Sequence, residues 1–301
     1  MRHRLSCLLV VSALLAGACG DDGDSSAATT TVAEAVTTTA GAVAETDDGV
    51  AVDDSTTARW PTPPADLDPA DPARWTVTVV ERRPHDPGAF TQGLEQLSDG
   101  RLLESTGIRG ESTIRIVDPT TGDVLESQPL DDTEFGEGAT VVDDTIVQLT
   151  WRAERARRWS LPDLEPLSSW DYTGEGWGIC RLGDRLAMSD GTSTLSFRDP
   201  DDFSLLEQVT VTFDGNEVTR LNELECVDGH VVANIWQSPT IVVIRPDGAG
   251  VASIDGTPLV DEIGTDEPGR AVLNGIAVRD EDTFWMTGKL WPTLFAVTVT
   301  S

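Results

Sequence analysis

The residues best suited to chemistry in this sequence are a carboxylate, an amide and a lysine: Glu137, Asn222 and Lys289. Lys289 is the only lysine among 21 basic residues, and arginine is too large and too firmly protonated to replace a lysine in a tight pocket. Glu137 follows Phe135 and Gly136, and apolar surroundings raise the pKa of a carboxyl group toward values useful for proton transfer. The three groups could move a proton and stabilise an oxyanion. A carboxylate bonded only to backbone is an equally weighted interpretation of Glu137.

These residues occur at repeating positions in the chain. Five segments share a pattern in which one residue is followed by a small or acidic residue and then an aliphatic one. The segments are Gln92-Gly-Leu, Glu137-Gly-Ala, Trp177-Gly-Ile, Asn222-Glu-Leu and Asn274-Gly-Ile. They begin 40 to 52 residues apart, the length of one four-stranded propeller blade. The repeat therefore predicts a five-bladed β-propeller.

A second set of positions follows the first at a constant interval. About fourteen residues after each anchor a second strand ends, at Gly107, Trp151, Gly191, Trp236 and Lys289. Two adjacent antiparallel strands of that combined length return to the same end of a blade, so both sets should form rings on one face. Tryptophan usually packs in a core, but three of the nine tryptophans at ring positions predict an aromatic-walled pocket.

The C-terminal part of the chain, residues 74–301, has the texture of an all-β domain. Short runs rich in β-branched and aromatic residues alternate with Gly, Asp and Pro turns, and no helical periodicity is sustained. The last repeat ends before a fourth strand, whereas the run from Trp75 to Val80 precedes the first repeat and has no blade of its own. We expect this run to complete the last blade and close the ring. A sandwich of short strands is the structural alternative, but it has no reason to repeat.

The N-terminal part predicts export. Residues 1–18 resemble a signal peptide, with Arg2 and Arg4 before an apolar run and small residues before Cys19. Cys19 is the expected lipidation site, although an ordinary secretory signal with an incidental cysteine is the alternative. Residues 19–73 contain few large apolar residues and should form a disordered tether. We therefore expect a cell-envelope lipoprotein that contacts the membrane only through its lipid, or alternatively a secreted protein.

Charge and residue counts exclude several classes of function. A formal charge of −31 repels nucleic acid. Three histidines, His3, His85 and His230, without metal-ligand spacing exclude a zinc site built from histidine and cysteine. Cys180 and Cys226 remain in the exported domain, where they form either a disulfide or two buried free thiols.

Ten motifs in register resemble the plant and bacterial type of glutaminyl-peptide cyclotransferase. They are His85-Asp-Pro-Gly-Ala-Phe-Thr-Gln-Gly-Leu94, Leu103-Glu-Ser-Thr-Gly107, Phe135-Gly-Glu-Gly138, Gln148-Leu-Thr-Trp151, Gly174-Glu-Gly-Trp-Gly178, Met188-Ser-Asp-Gly191, Leu221-Asn-Glu-Leu-Glu225, Ala233-Asn-Ile-Trp236, Asn274-Gly-Ile276 and Thr287-Gly-Lys-Leu-Trp-Pro292. The resemblance spans about residues 74–300. It implies a propeller enzyme that converts N-terminal glutamine of peptides or proteins to pyroglutamate and ammonia, without metal or other cofactor.

The resemblance also assigns roles to individual residues. It implies Glu137, Asn222 and Lys289 as catalytic residues, with a substrate pocket formed by Phe90, Gln92, Phe135, Trp151, Trp177 and Trp236. We expect a monomer. The rival hypothesis is a non-catalytic, lipid-anchored propeller that binds a protein or carbohydrate partner.

Overall fold

The computed structural model describes residues 59–264, 267 and 269–301. Residues 1–18, Cys19 and the first part of the predicted tether lie outside the described residues. Within the described chain, no helix is long and apolar enough to cross a membrane.

The described chain consists almost entirely of short strands that form four-stranded antiparallel units. Unit one contains β2 (Thr91–Gln96), β3 (Leu102–Thr106), β4 (Thr113–Val117) and β5 (Val124–Pro129). Unit two contains β6 (Gly136–Val142), β7 (Thr145–Thr150), β8 (Arg155–Ser160) and β9 (Pro166–Asp171). Unit three contains β10 (Ile179–Leu182), β11 (Arg185–Ser189), β12 (Thr194–Arg198) and β13 (Leu205–Thr210).

The remaining units form one larger sheet. A small hairpin of β14 (Thr212–Phe213) and β15 (Asn216–Glu217) leads into unit four, with β16 (Leu221–Val227), β17 (His230–Ile235), β18 (Thr240–Ile244) and β19 (Gly250–Asp255). Unit five contains β20 (Leu273–Val278), β21 (Phe284–Gly288), β22 (Thr293–Thr300) and β1 (Ala73–Pro84). The helical segments are a 3₁₀ turn at Pro64–Asp66 and α1 at Thr257–Ile263.

The units follow one another around a common centre. Their first strands contact each other in cyclic order, β2 with β6, β6 with β10, β10 with β16, β16 with β20, and β20 again with β2. The second strands, such as β3 and β7, are buried along their whole length, whereas the fourth strands β5, β9 and β13 are almost wholly exposed. Apolar clusters fill the spaces between neighbouring units. The predicted all-β propeller is confirmed.

The innermost strands carry bulges at the anchor positions. The register shifts between Thr91 and Gly93 in β2, and β6, β16 and β20 shift at the matching places. A bulge adds an unpaired residue and re-aims its side chain. Space next to the bulge is scarce, since a Cβ at Gly178 would lie 2.1 Å from the carbonyl oxygen of Asn222. Four of the five anchor residues are accordingly followed by glycine, whereas Asn222 is followed by Glu223.

The predicted closing strand is present. β1 pairs antiparallel with β22, as the missing fourth strand of unit five, and its first residues also pair in parallel with β19 of unit four. The closing strand is longer than the predicted run from Trp75 to Val80, since it extends from Ala73 to Pro84. The first and last strands of the described domain therefore meet within one unit, which leaves no open edge at the junction.

The packed chain begins before the predicted domain boundary. Trp60 is 5% exposed, its ring stacks on Trp75 at 5.6 Å, and its Nε1 donates to Asp228 at 2.8 Å. Its ring also lies 5.2 Å from Phe284. The prediction of a disordered tether up to residue 73 is therefore wrong for residues 59–72, because this segment supplies apolar surface that the domain buries.

A disulfide joins Cys180 and Cys226, whose Cα atoms are 5.4 Å apart. Of the two alternatives that the sequence left open, the structure has the paired form. Cys180 lies on β10 and Cys226 on β16, so the bond connects the innermost strands of units three and four.

A buried ionic cluster fastens unit one to the closing unit. His85, which follows β1, has Nδ1 at 2.7 Å from the carbonyl oxygen of Trp291 and Nε2 at 3.1 Å from Glu104. Arg115 donates to Glu104 at 2.8 and 3.0 Å and to Asp86 at 2.9 Å. A carbonyl only accepts, so Nδ1 carries a proton, and Nε2 must carry one to bond a carboxylate. The Glu104 carboxylate accordingly helps to raise the pKa of His85 against the effect of burial.

We predict that Glu104→Gln strongly destabilises the domain. The change leaves the buried charge of His85 without a carboxylate and Arg115 with Asp86 alone, and breaking a buried ion pair typically costs roughly 3–5 kcal/mol. The free energy of unfolding from urea titration measures the loss. Glu207→Gln is the control, since it breaks the 3.0 Å surface pair with Arg185 and should cost at most about 1 kcal/mol. Equal losses in the two variants would contradict a structural role for the cluster.

Candidate active site

Seven of the ten residues of the two predicted rings line one cavity. The cavity has a volume of about 390 Å³. Its lining residues are Phe90, Gln92, Phe135, Glu137, Trp151, Arg152, Glu175, Trp177, Asn222, Trp236 and Lys289. All nine residues that the sequence predicted for catalysis or substrate binding are therefore brought together. The first ring comes from the beginnings of the innermost strands and the second from the residues that follow the second strands.

Glu137 is a buried carboxylate that the protein leaves free. It is 4% exposed, and within the described chain its carboxylate accepts no hydrogen bond. Burial raises the pKa of Glu137 well above its usual range; the charge of Lys289 opposes this rise and that of Glu175 adds to it. The alternative in which Glu137 serves the blade backbone has no support in this geometry. A buried carboxyl group without hydrogen-bond partners can take up a proton from a bound molecule and return it.

Lys289 lies at the end of β21, buried among the same residues. Its Nζ donates to Oε1 of Gln92 and lies 5.0 Å from the centre of the Phe90 ring. Burial lowers the pKa of the lysine to about 8, while the carboxylates of Glu137 and Glu223 favour the charged form. The ammonium group has three donors and Gln92 uses one, so two can serve a bound molecule.

Asn222 also offers an unused polar group. The side chain is 2% exposed, and Oδ1 has no hydrogen-bond partner within the described chain. Its backbone is fixed, because the carbonyl oxygen accepts the Ser189 hydroxyl at 2.7 Å. A buried amide oxygen without a partner is costly unless a ligand satisfies it.

Asn274, which occupies the equivalent anchor position in unit five, does not line the cavity. Its Nδ2 donates to the carbonyl oxygen of Thr91 at 2.9 Å and lies 3.4 Å from Oε1 of Gln92. Asn274 therefore positions the Gln92 side chain, which in turn accepts the hydrogen bond from Lys289. This ring position is structural.

Aromatic rings form the walls of the cavity. Phe135 meets Phe90 and Trp151 edge-on, at 6.0 and 5.7 Å, and Trp177 meets Trp236 edge-on at 5.6 Å. Glycines stand at the two remaining second-ring positions because rings lie against them. A Cβ at Gly107 would be 2.4 Å from Phe135, and one at Gly191 would be 2.6 Å from Trp177.

Sequence reasoning missed two lining residues, Arg152 and Glu175. Glu175 accepts the indole N–H groups of Trp151 at 2.7 Å and Trp177 at 3.0 Å, and its other oxygen accepts Nε of Arg152 at 2.7 Å. One carboxylate therefore fixes two walls of the pocket. Neither residue occupies a repeated position, so the periodicity carried no signal for them. The only available hint was the position of Glu175 beside Trp177 in the Gly174–Gly178 motif.

The described residues offer no obvious metal site. Among them, no group of three or more His, Cys, Asp and Glu side chains is placed to hold an ion. His85 and His230 are bonded to backbone carbonyls, and both cysteines of the domain are in the disulfide.

Lys289 allows a direct test of the site's electrostatics. Because the chain has one lysine, protein labelled with ¹³C-lysine gives one side-chain signal in NMR spectra. We predict a titration midpoint of about 8 instead of the ordinary value of about 10.4. Glu137→Gln should lower the midpoint further, since it removes a charge that favours the ammonium form, whereas Glu207→Gln should leave it unchanged. A midpoint near the ordinary value would show that Lys289 is not desolvated.

Comparisons with known proteins agree on one family. The family model for glutamine cyclotransferase matches residues 51–299. A glutaminyl-peptide cyclotransferase of Arabidopsis thaliana is 38% identical over 217 residues, which cover 69% of this chain and 67% of the relative. The crystal structure of Myxococcus xanthus glutaminyl cyclase superposes with a TM-score of 0.72 at 36% identity, over 76% of this chain and 99% of the other. The chain therefore belongs to the glutamine cyclotransferase family.

Proposed function

We propose that this protein is a glutaminyl-peptide cyclotransferase, which converts the N-terminal glutamine of peptides or proteins to pyroglutamate with release of ammonia. The observation that carries the proposal is the meeting of a free buried carboxylate, a free buried amide and the single lysine in one aromatic-walled cavity. Family membership supports the same reaction. A scaffold that only binds a partner has no need for this set of unpaired buried groups.

The reaction is an intramolecular acyl transfer. The α-amine nitrogen attacks the Cδ carbonyl carbon of the same glutamine, a new C–N bond closes the five-membered ring, and the original amide C–N bond breaks to release ammonia. The attacking amine must be neutral, which is easily reached near its ordinary pKa of about 7.7–8.0. The amine loses a proton and the leaving nitrogen gains one, so no net proton is consumed.

Glu137 is assigned the proton transfer. Its carboxylate form accepts the proton of the attacking amine, and its acid form donates to the departing nitrogen. A pKa raised by burial makes the acid form easier to reach than it is in an exposed carboxyl group, as a proton relay requires. The absence of a hydrogen-bond partner within the described chain leaves both carboxylate oxygens available to the substrate.

We assign Lys289 and Asn222 the stabilisation of the side-chain carbonyl oxygen (Oε1) of the substrate glutamine. Two ammonium donors not used by Gln92 can stabilise the negative charge that develops there, and the N–H group of the Asn222 amide, which lines the same cavity, is the third donor. One such donor typically contributes roughly 2.7–4 kcal/mol to the transition state. Both groups are buried and held by their neighbours, so they need little reorganisation during the reaction.

The aromatic walls hold the glutamine side chain folded toward its own amine. Phe90, Phe135, Trp151, Trp177 and Trp236 surround the polar groups and restrict the extended conformations that cannot react. They also exclude water, which strengthens the electrostatic interactions inside the pocket.

The proposed enzyme works without metal or another cofactor, outside the cytoplasm and as a monomer. The free polar groups already supply proton transfer and oxyanion stabilisation, which are the tasks that a metal would perform. The signal-like residues 1–18 and Cys19 support export and lipid attachment, with a secreted form as the alternative. Membrane contact would then involve only the lipid.

We predict that Glu137→Gln lowers the rate of ammonia release from a Gln-initiated dipeptide by about 10²–10⁴-fold, the usual contribution of general acid–base catalysis. Coupled detection of ammonia measures the rate, and the melting temperature should change little. Glu207→Gln, the same chemical change on the outer surface, should be fully active. Activity of Glu137→Gln within about threefold of the unaltered protein, well short of that range, would remove Glu137 from the reaction.

Chelators should leave the activity unchanged. The described histidines and cysteines are committed to structural bonds, so EDTA and phenanthroline have no zinc ligand set to strip. The measurement is the rate of ammonia release before and after prolonged dialysis against chelator. Loss of activity that zinc restores would overturn the metal-free mechanism.

A further inference from the structure

Two guanidinium groups pack on one wall of the proposed active site. Cζ of Arg152 lies 4.0 Å from the centre of the Trp151 ring system, and Cζ of Arg109 lies 5.6 Å from it. Trp151 and Arg152 line the cavity, and both arginines are largely exposed. Cationic groups therefore stand where a molecule in the pocket emerges into solvent.

Both arginines are anchored through the same atom and keep their ends free. Nε of Arg109 donates to the carbonyl oxygen of Thr133 at 3.1 Å, and Nε of Arg152 donates to Glu175 at 2.7 Å. Within the described chain, the terminal nitrogens of the two side chains make no hydrogen bond, and Arg109 has no carboxylate within 4.0 Å. Four terminal nitrogens are thus held near one indole and remain available.

The negative charge of Glu175 is already engaged by three hydrogen-bond donors of the protein. This carboxylate accepts the indole N–H groups of Trp151 and Trp177 as well as Arg152, and these bonds lower its pKa against the effect of burial. Beside Trp151, two positive charges therefore accompany one shared negative charge. The whole chain, by contrast, carries a formal charge of −31.

We propose that Arg109 and Arg152 form a subsite for a carboxylate of the substrate that lies beyond its N-terminal glutamine. This inference rests on the proposed function, because it places the glutamine in the cavity and the rest of the peptide across the rim. An extended chain advances about 3.3–3.6 Å per residue, so the second or third residue reaches the rim. Planar guanidinium groups suit a carboxylate because they can bind both of its oxygens.

Carboxylates at that place come from two sources. One is an Asp or Glu side chain at the second or third position, and the other is the C-terminal carboxylate of a very short peptide. Both have the same chemistry, so peptides with blocked and free C-termini distinguish them.

The overall charge of the protein predicts the opposite preference. A strongly negative surface attracts cationic peptides and repels acidic ones at long range. A preference for acidic peptides would therefore report contact with the mouth and not the field of the whole molecule, and salt should weaken it.

The test compares four peptides: Gln-Glu-Ala-amide, Gln-Gln-Ala-amide, Gln-Lys-Ala-amide and Gln-Gln-Ala with a free C-terminus. We expect kcat/KM for the glutamate peptide to exceed that of its neutral analogue about two- to fivefold, the range of an exposed charged pair, with the lysine peptide lowest. The difference should lie mainly in KM, because the contact is present before and during the reaction. A rise with the free C-terminus alone assigns the subsite to the terminal carboxylate.

Variants of Arg109 separate the subsite from bulk charge. Arg109→Gln should remove most of the preference, and Arg109→Glu should reverse it in favour of the lysine peptide. Arg158→Gln and Arg158→Glu are matched controls: Arg158 lies 4.8 Å from the Trp170 ring, has no carboxylate within 4.0 Å in the described chain, and does not line the cavity. These controls change the net charge equally and should keep the preference for glutamate.

The proposal is overturned if the four peptides react equally, if the lysine peptide reacts fastest, or if the Arg158 variants shift the order as far as the Arg109 variants do. Binding of the same peptides to Glu137→Gln protein, followed by tryptophan fluorescence, gives a second readout. If no peptide is turned over by the unaltered protein, the proposed function fails, and the order of the Kd values still decides on the subsite.

Discussion

The close approach of the innermost strands around the central axis determines most features of this protein. At Gly178 no Cβ fits beside Asn222 of the next unit, and bulges interrupt four of the five innermost strands at the same level. A bulge re-aims a side chain, and three of these bulges place Gln92, Glu137 and Asn222 in one cavity. The same crowded centre that closes the ring therefore also gathers polar groups from separate units. The packing that forms the fold therefore also forms the site.

Gathering such groups in a buried place has an electrostatic consequence. Desolvation disfavours both ions, so it raises the pKa of Glu137 and lowers that of Lys289, while their mutual attraction limits each shift. The pKa values of these two groups, which are ordinarily far apart, are thereby brought closer together. The site remains ordered because neighbouring cores hold the strands and because the His85–Glu104 cluster holds the segment that carries Phe90 and Gln92.

Periodicity was sufficient to predict the part of the site that the fold repeats. Glu137 and Asn222 occupy the same repeated position in units two and four, and Lys289 occupies the second ring position of unit five, so their meeting followed from the 40–52-residue spacing together with the constant interval between the two rings. Arg152 and Glu175 lie on connections that differ between units, and their roles depend on contacts with Trp151 that no local pattern encodes. The burial of Trp60 was equally hidden, because its partners Trp75 and Phe284 are distant in sequence and the segment around it is rich in Pro, Asp and Ala.

An intramolecular cyclisation places unusual demands on an enzyme. The two reacting groups already belong to one residue, so little is gained by bringing separate molecules together, and catalysis must come from the conformation and the electrostatics of the pocket. A rigid ring suits this task better than mobile loops, because walls from different units cannot relax independently. Glu175, which bonds the indoles of Trp151 and Trp177 at once, joins walls from adjacent connections into one surface. The rim arginines are anchored to that same surface, so any recognition of the following peptide residues is coupled to the position of the walls.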